Sequence, residues 1–181
     1  MFTLRFLLIF AVVSLSGALQ AQTERGHWLV GGVAGFNNTN LDDFNAAQLE
    51  LSPNGGYFIR DNLALGLQLE IVSVSGDAEG FRFAFQPFAR YYFANAGNTA
   101  FFGQGRIGLG SADIDEFFGF FDNSDSFVTW GLGLGADIFF NEHVALEGLL
   151  GYDSRKYSDV DNAINNFGLN FGIQVFLGGG K

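Results

Sequence analysis

The sequence predicts an all-β fold, an eight-stranded antiparallel up-and-down barrel, and three observations predict it. Through most of the chain an apolar side chain recurs at every second position, with small or polar residues between; that is the period of a strand with two unlike faces. Short connections rich in Asn, Asp and Gly alternate with longer polar ones, as in a closed meander with one trimmed and one elaborated end. Nothing beyond the N-terminal segment reads as a helix.

Residues 1–21 read as an export signal. Arg5 supplies the positive start, "FLLIFAVVSL" (Phe6 to Leu15) the apolar centre, and "SGALQAQ" small residues for cleavage after Ala18 or Ala21. The apolar run is too short to cross about 30 Å of hydrocarbon as a helix. The barrel domain is therefore expected over residues 22–181, in an exported chain.

The strands follow in order. The first, Trp28 to Phe36, opens on an aromatic and gives way to the polar stretch Asn37 to Asn45; the second, Ala46 to Ile59, ends at the tight turn "RDN". The third, Leu63 to Ser75, sets Leu63, Leu65, Leu67, Leu69 and Ile71 against Ala64, Gly66, Gln68 and Glu70. The fourth, Phe81 to Ala94, contains "FRFAFQPFARYYF", with Phe81, Phe83 and Phe85 on one face and Arg82 and Arg90 on the other. A closed barrel has no free edge to accommodate the missing N–H of Pro87, so a local bulge is expected there. After the turn "NAGNT" comes the fifth, Ala100 to Ala112. The sixth, Phe127 to Phe140, sets Val128, Trp130, Leu132 and Leu134 against Thr129, Gly131, Gly133 and Gly135. The turn "NEH" leads to the seventh, Val144 to Asp153, and Ser154 to Ala163 to the eighth, Ile164 to Leu177. In that last strand Phe167, Leu169, Phe171 and Ile173 oppose Gly168, Asn170 and Gly172.

Composition decides which face points outward. Charged residues make up 15% of the chain and hydrophobic ones 48%, with 26 Gly, 23 Phe and only two lysines, Lys156 and Lys181. A soluble barrel with an apolar interior would have to present Gly, Gln and Asn to water in place of the usual charge, about 25% of an ordinary domain. The inverted arrangement fits: an apolar band facing lipid and a narrow lumen filled by small and polar groups. The fold predicted is thus a transmembrane β-barrel. Aromatics gather at the short-turn rim, where Trp28, Tyr57, Tyr91, Phe93, Phe101 and Phe140 are expected to form an interfacial girdle. The absence of Cys removes disulfide and thiol chemistry, and 9 basic against 19 acidic residues argue against nucleic acid as a partner.

This pattern resembles the small outer-membrane β-barrel family of Gram-negative bacteria, of the OmpX and OmpA transmembrane-domain type. The resemblance covers the mature chain and rests on the strand pattern. It implies an integral outer-membrane location, termini and short turns in the periplasm, long loops outside the cell, and insertion by the barrel-assembly machinery. Outer-membrane lipid and lipopolysaccharide are the surroundings implied. One departure is that "VFLGGGK" runs past Phe176, where barrels of this family usually stop at a terminal aromatic.

By the same phase, Glu50, Glu70, Arg82, Arg90, Arg106, Asp137 and Glu147 face the lumen. Isolated charges there would each cost several kcal/mol, so a mutually paired network is expected. Counting from the turns brings Glu70, Arg90, Arg106 and Glu147 closest to one layer. An ion gate and a structural plug both use such charges, and the interior of eight strands, just wide enough for side chains to fill, favours the plug. The long loops carry many acids; "DIDE" (Asp113 to Glu116) and "DVDN" (Asp159 to Asn162) have carboxylates at alternate positions but lack the spacing of a calcium loop. Solvated acidic loops with no cofactor or metal site are therefore expected, and divalent cations bridging them to lipopolysaccharide are the alternative. In "EFFGFF" the rings of Phe117, Phe118, Phe120 and Phe121 form a candidate contact surface for an extracellular partner.

Catalysis by a Ser-His-acid site needs a histidine beside a serine and a carboxylate. His27 and His143 are the only two, both at the short-turn end. The function expected is that of a non-enzymatic outer-membrane barrel with a structural or adhesion-type surface role. A narrow pore or a lipid- or small-molecule-binding barrel is the alternative, and a lipid-modifying enzyme a more distant one.

Overall fold

The computed structural model describes residues 22–41, 44–76, 80–112, 126–158 and 162–178. Eight strands appear in order: β1 (Trp28–Leu41), β2 (Phe44–Arg60), β3 (Leu63–Gly76), β4 (Gly80–Ala96), β5 (Thr99–Ser111), β6 (Ser126–Phe139), β7 (Val144–Tyr157) and β8 (Ile164–Leu177). Each pairs antiparallel with the next, and β1 closes on β8, so the sheet is a barrel without a free side. Where the strands pair, closure satisfies the ladder groups that an open sheet would leave bare to lipid.

Phase follows the sequence pattern. Odd positions of β4 point out and even ones in, so Phe85 is exposed while Arg90 and Tyr92 are buried. Along β6 the exposed row is Val128, Trp130, Leu132 and Leu134, and on β8 it is Phe167, Leu169, Phe171 and Ile173. These rows form one apolar outer surface.

Glycine supplies the inner room. A Cβ on Gly66 would stand 2.3 Å from the Gly55 carbonyl oxygen and 2.4 Å from Cζ of Phe88. On Gly31 it would stand 2.1 Å from Oε1 of Gln174. Large inward side chains fit the narrow lumen because the positions beside them carry none.

Three expectations are corrected. The polar stretch after Phe36 is mostly paired strand: Asn37 lies opposite Gln48, Thr39 opposite Ala46 and Leu41 opposite Phe44. β7 likewise continues past Asp153 to Tyr157, with Ser154 and Arg155 opposite Trp130 and Thr129. Ladder bonding joins backbone to backbone and asks for no apolar side chain, so polar residues extend both hairpins.

The third correction concerns Pro87. The register of β4 against β5 is unchanged from Phe85↔Leu109 to Phe88↔Arg106, and the shift lies at the turn, between Tyr92 and Ala94. Gln86 and Pro87 simply drop out of that ladder, while Leu67↔Pro87 persists on the β3 side. A lost donor is met by a gap in pairing with no extra residue inserted. Pro53 behaves alike, since β2 and β3 pair at Leu51↔Ile71 and again at Asn54↔Gln68 in the same register.

The join of first and last strands is partial. β1 and β8 pair from Trp28↔Leu177 to Val33↔Gly172, and beyond that point they part among the described residues.

Candidate functional site

The lumen has two storeys. The lower one, toward the short turns, is a solid base. Leu29, Phe58, Phe102 and Phe176 are fully buried there, with Phe88, Tyr92, Phe139 and Leu149 nearly so. Phe176 sits with its ring centroid 4.9 Å from Phe139 and 6.3 Å from both Phe58 and Tyr92. Aromatic crowding at this rim therefore has two causes. Trp28, Tyr57, Tyr91, Phe93, Phe101 and Phe140 are exposed on the outside, whereas Phe58, Tyr92, Phe102, Phe139 and Phe176, in the opposite phase, fill the inside.

One buried cation organises this base. Arg90 Nη1 donates to Oε2 of Glu147 at 2.5 Å and to the Tyr92 hydroxyl at 3.3 Å, and its Nε donates to Gln104 Oε1 at 2.7 Å. The guanidinium also lies over the Phe102 ring, 4.0 Å from the centroid. Asp137 stands 3.8 Å from Arg90 and accepts the Tyr92 hydroxyl proton at 2.6 Å. Residues 22–27 run along the rim at the turn between β2 and β3. Gly26 N donates to Phe58 O at 2.9 Å, Arg25 N to Asp61 Oδ1 at 2.9 Å, and the Thr23 hydroxyl to Asn62 Oδ1 at 2.7 Å.

The upper storey is a polar vestibule of about 440 Å³. Glu50, Glu70, Arg82, Arg106, Asp153 and Arg155 carry its charge, with Gln48, Ser52, Gln68, Asn166 and Asn170 between them, and Glu147 and Leu149 form its floor. Glu70 accepts from Arg82 Nε at 3.0 Å, Arg155 Nη2 at 2.7 Å and Gln86 Nε2 at 2.8 Å. Arg106 grips Asp153 with both Nε, at 3.0 Å, and Nη2, at 2.5 Å. Glu50 accepts a bond from the Ser52 hydroxyl at 3.3 Å.

All seven lumen candidates thus point inward, but they do not share one layer. Arg90 and Glu147 lie nearer the short turns than Glu70 and Arg106, which puts them in the base and the other two in the vestibule. Sequence reasoning missed Asp153, Arg155, Tyr92 and Gln104. Asp153 and Arg155 continue the inward phase of Ala145, Glu147, Leu149 and Gly151; following that period to Asp153 and on past it would have found both. Phe117, Phe118, Phe120 and Phe121 lie outside the described residues, as do residues 1–21. Among the described residues no three His, Asp or Glu side chains converge as metal ligands. His27 and His143 are at the short-turn end, where His27 Nδ1 lies 3.1 Å from Glu24 O.

Residues 6–175 match the family described as outer membrane protein beta-barrel domain. The chain belongs to that family. It is an integral outer-membrane protein, with the apolar band of Leu132, Leu134, Leu169 and Phe171 in lipid. Solved structures share the fold at low identity. Neisserial surface protein A superposes with a TM-score of 0.58 at 17% identity, covering 83% of this chain and 96% of its own. The N-terminal β-barrel domain of Pseudomonas aeruginosa OprF gives 0.53 at 12% identity, with coverages of 84% and 98%. OprG of Pseudomonas aeruginosa gives 0.50 at 13% identity, with 87% and 99% covered. No curated protein matches the sequence. The family places short turns in the periplasm and long loops outside, so the base faces the periplasm and the vestibule the cell exterior.

Proposed function

We propose that this protein is a non-enzymatic outer-membrane barrel with a blind lumen and a structural or surface-interaction role. The observation that carries the reading is the base. A buried ion pair and six inward rings lie between the vestibule and the periplasmic mouth. A continuous pore needs a wet path, and packed aromatic and aliphatic groups offer ions none of the coordination they lose on leaving water. What the chain presents outward is then a charged, polar cup on the cell surface, set in lipid and lipopolysaccharide and inserted by the barrel-assembly machinery.

Planar-bilayer recording of refolded protein tests this. Electrical silence is the expected result, and steady unitary currents would overturn it in favour of a narrow pore. The vestibule favours a second reading, a barrel that binds a small polar molecule from outside.

A further inference from the structure

The charges of the vestibule do not cancel locally. Arg106 and Asp153 neutralise each other. Arg82 and Arg155 both sit on the single carboxylate of Glu70, so that cluster has one positive charge to spare. Glu50, facing the same cavity, forms no ion pair among the described residues: the Ser52 hydroxyl is its hydrogen-bond partner, and Arg82 and Arg106 act on it only from beyond ion-pair distance. The vestibule as a whole is balanced, but its positive and negative surpluses are separated.

Pairing fixes how they are separated. Glu50 lies opposite Val72 and Val72 opposite Arg82, so the two charged residues occupy one row with a single strand between them. At the usual strand spacing their backbones are about 9 to 10 Å apart. Both side chains line one cavity and their charged ends feel each other without forming an ion pair, so a small molecule with an ammonium at one end and a carboxylate or phosphate at the other can lie between them. Arg82 reaches Glu70 through Nε; a guanidinium has five N–H donors, and its Nη groups remain for an incoming anion. Asn166, Asn170, Gln48 and Gln68 supply neutral donors and acceptors around the same space.

We propose that the vestibule is a binding site for a small zwitterion, held by Glu50 at its cationic end and by Arg82 at its anionic end. A cation alone would leave the Arg82–Arg155 surplus unmatched, and an anion alone would leave Glu50 unmatched. A zwitterion answers both and adds no net charge to a low-dielectric interior. The inference rests on the vestibule being a dead end, and the two readings fail separately. A conducting lumen shows as current, an empty site as the absence of binding heat.

The test is calorimetric titration of the full refolded chain in detergent micelles. The titrants are glycine, β-alanine and 4-aminobutanoate, with acetate and methylammonium as the two halves. At least one of the three zwitterions is expected to bind about tenfold tighter than either half. Glu50→Gln is expected to remove that advantage while leaving acetate binding in place, and Arg82→Gln to do the reverse for methylammonium. Folding of both variants is checked by their resistance to denaturation in cold detergent. The comparison of whole and half ligands on the unsubstituted chain needs neither variant. Phosphoethanolamine, run alongside, separates a lipid-headgroup source, in which it binds tightest, from a free amino acid source, in which it does not. Zwitterions binding no tighter than their halves, or unaffected by Glu50→Gln, would overturn the proposal.

Discussion

Arg90 and Glu147 meet at 2.5 Å with each side chain 1% exposed, and they come from β4 and β7, strands that are not neighbours in the wall. Their bond crosses the lumen and ties opposite sides of the barrel. Arg106 and Asp153 instead join β5 to β7 over Gly131 of β6, along one side of the wall, and the Asp153 side chain is 25% exposed. Water can take over part of what the second pair loses on mutation; it cannot do so for the first.

Arg90→Ala is accordingly expected to cost about 3–5 kcal/mol, since it strands a buried carboxylate. Arg106→Ala should cost clearly less. Urea unfolding of both variants in lipid vesicles, followed by tryptophan fluorescence, measures the difference. Equal losses would mean that solvent exposure does not separate the two pairs.

Glycine positions offer a contrast in sterics. A Cβ on Gly66 meets backbone and ring atoms closer than 3 Å, whereas one on Gly168 has nothing within 4 Å. Gly66→Ala should destabilise the barrel by about 1–3 kcal/mol or block its folding. Gly168→Ala should fold and unfold as the parent does, and the same urea series reads both.

Depth in the membrane gives a third expectation. Leu132 is an exposed residue midway along β6, and Tyr91 stands near the short-turn rim. Leu132→Arg should cost about 2–4 kcal/mol and Tyr91→Arg about 0–1 from charge alone. Reversible folding into vesicles at a series of urea concentrations compares them.

The first tight turn supplies a fourth. Asn62 adopts φ 65° and its side chain accepts the Thr23 hydroxyl at 2.7 Å. Asn62→Gly keeps the backbone conformation and loses that bond, while Asn62→Val loses both. Valine should therefore be the worse by about 1–2 kcal/mol, read as a lower midpoint in the same assay.

Strand phase is legible in the sequence because lipid outside and a narrow lumen inside impose opposite chemistry on alternate residues. Leu132 and Gly133, or Phe171 and Gly172, carry that contrast plainly. Legibility fades where the membrane stops enforcing it. Asn37 to Leu41 and Ser154 to Tyr157 remain strand although their composition resembles loop. The pairing of charges was harder still. Glu70 and Arg155 are 85 residues apart in sequence, and only barrel closure and strand stagger bring them together. Aromatics are ambiguous in a different way: Tyr91, Tyr92 and Phe93 are consecutive, but adjacent residues of a strand face opposite media, and Tyr92 is the inner one.

The incomplete join between β1 and β8 has a consequence for motion. Hydrogen bonds lock the wall all round at the periplasmic end, but at the seam they stop at Val33 and Gly172. The barrel is hooped at its foot and slit at its lip. Amide protons should exchange fastest on the facing edges of residues 34–41 and 164–171 and slowest around Leu29 and Phe176, so that the cup breathes sideways while its floor stays shut.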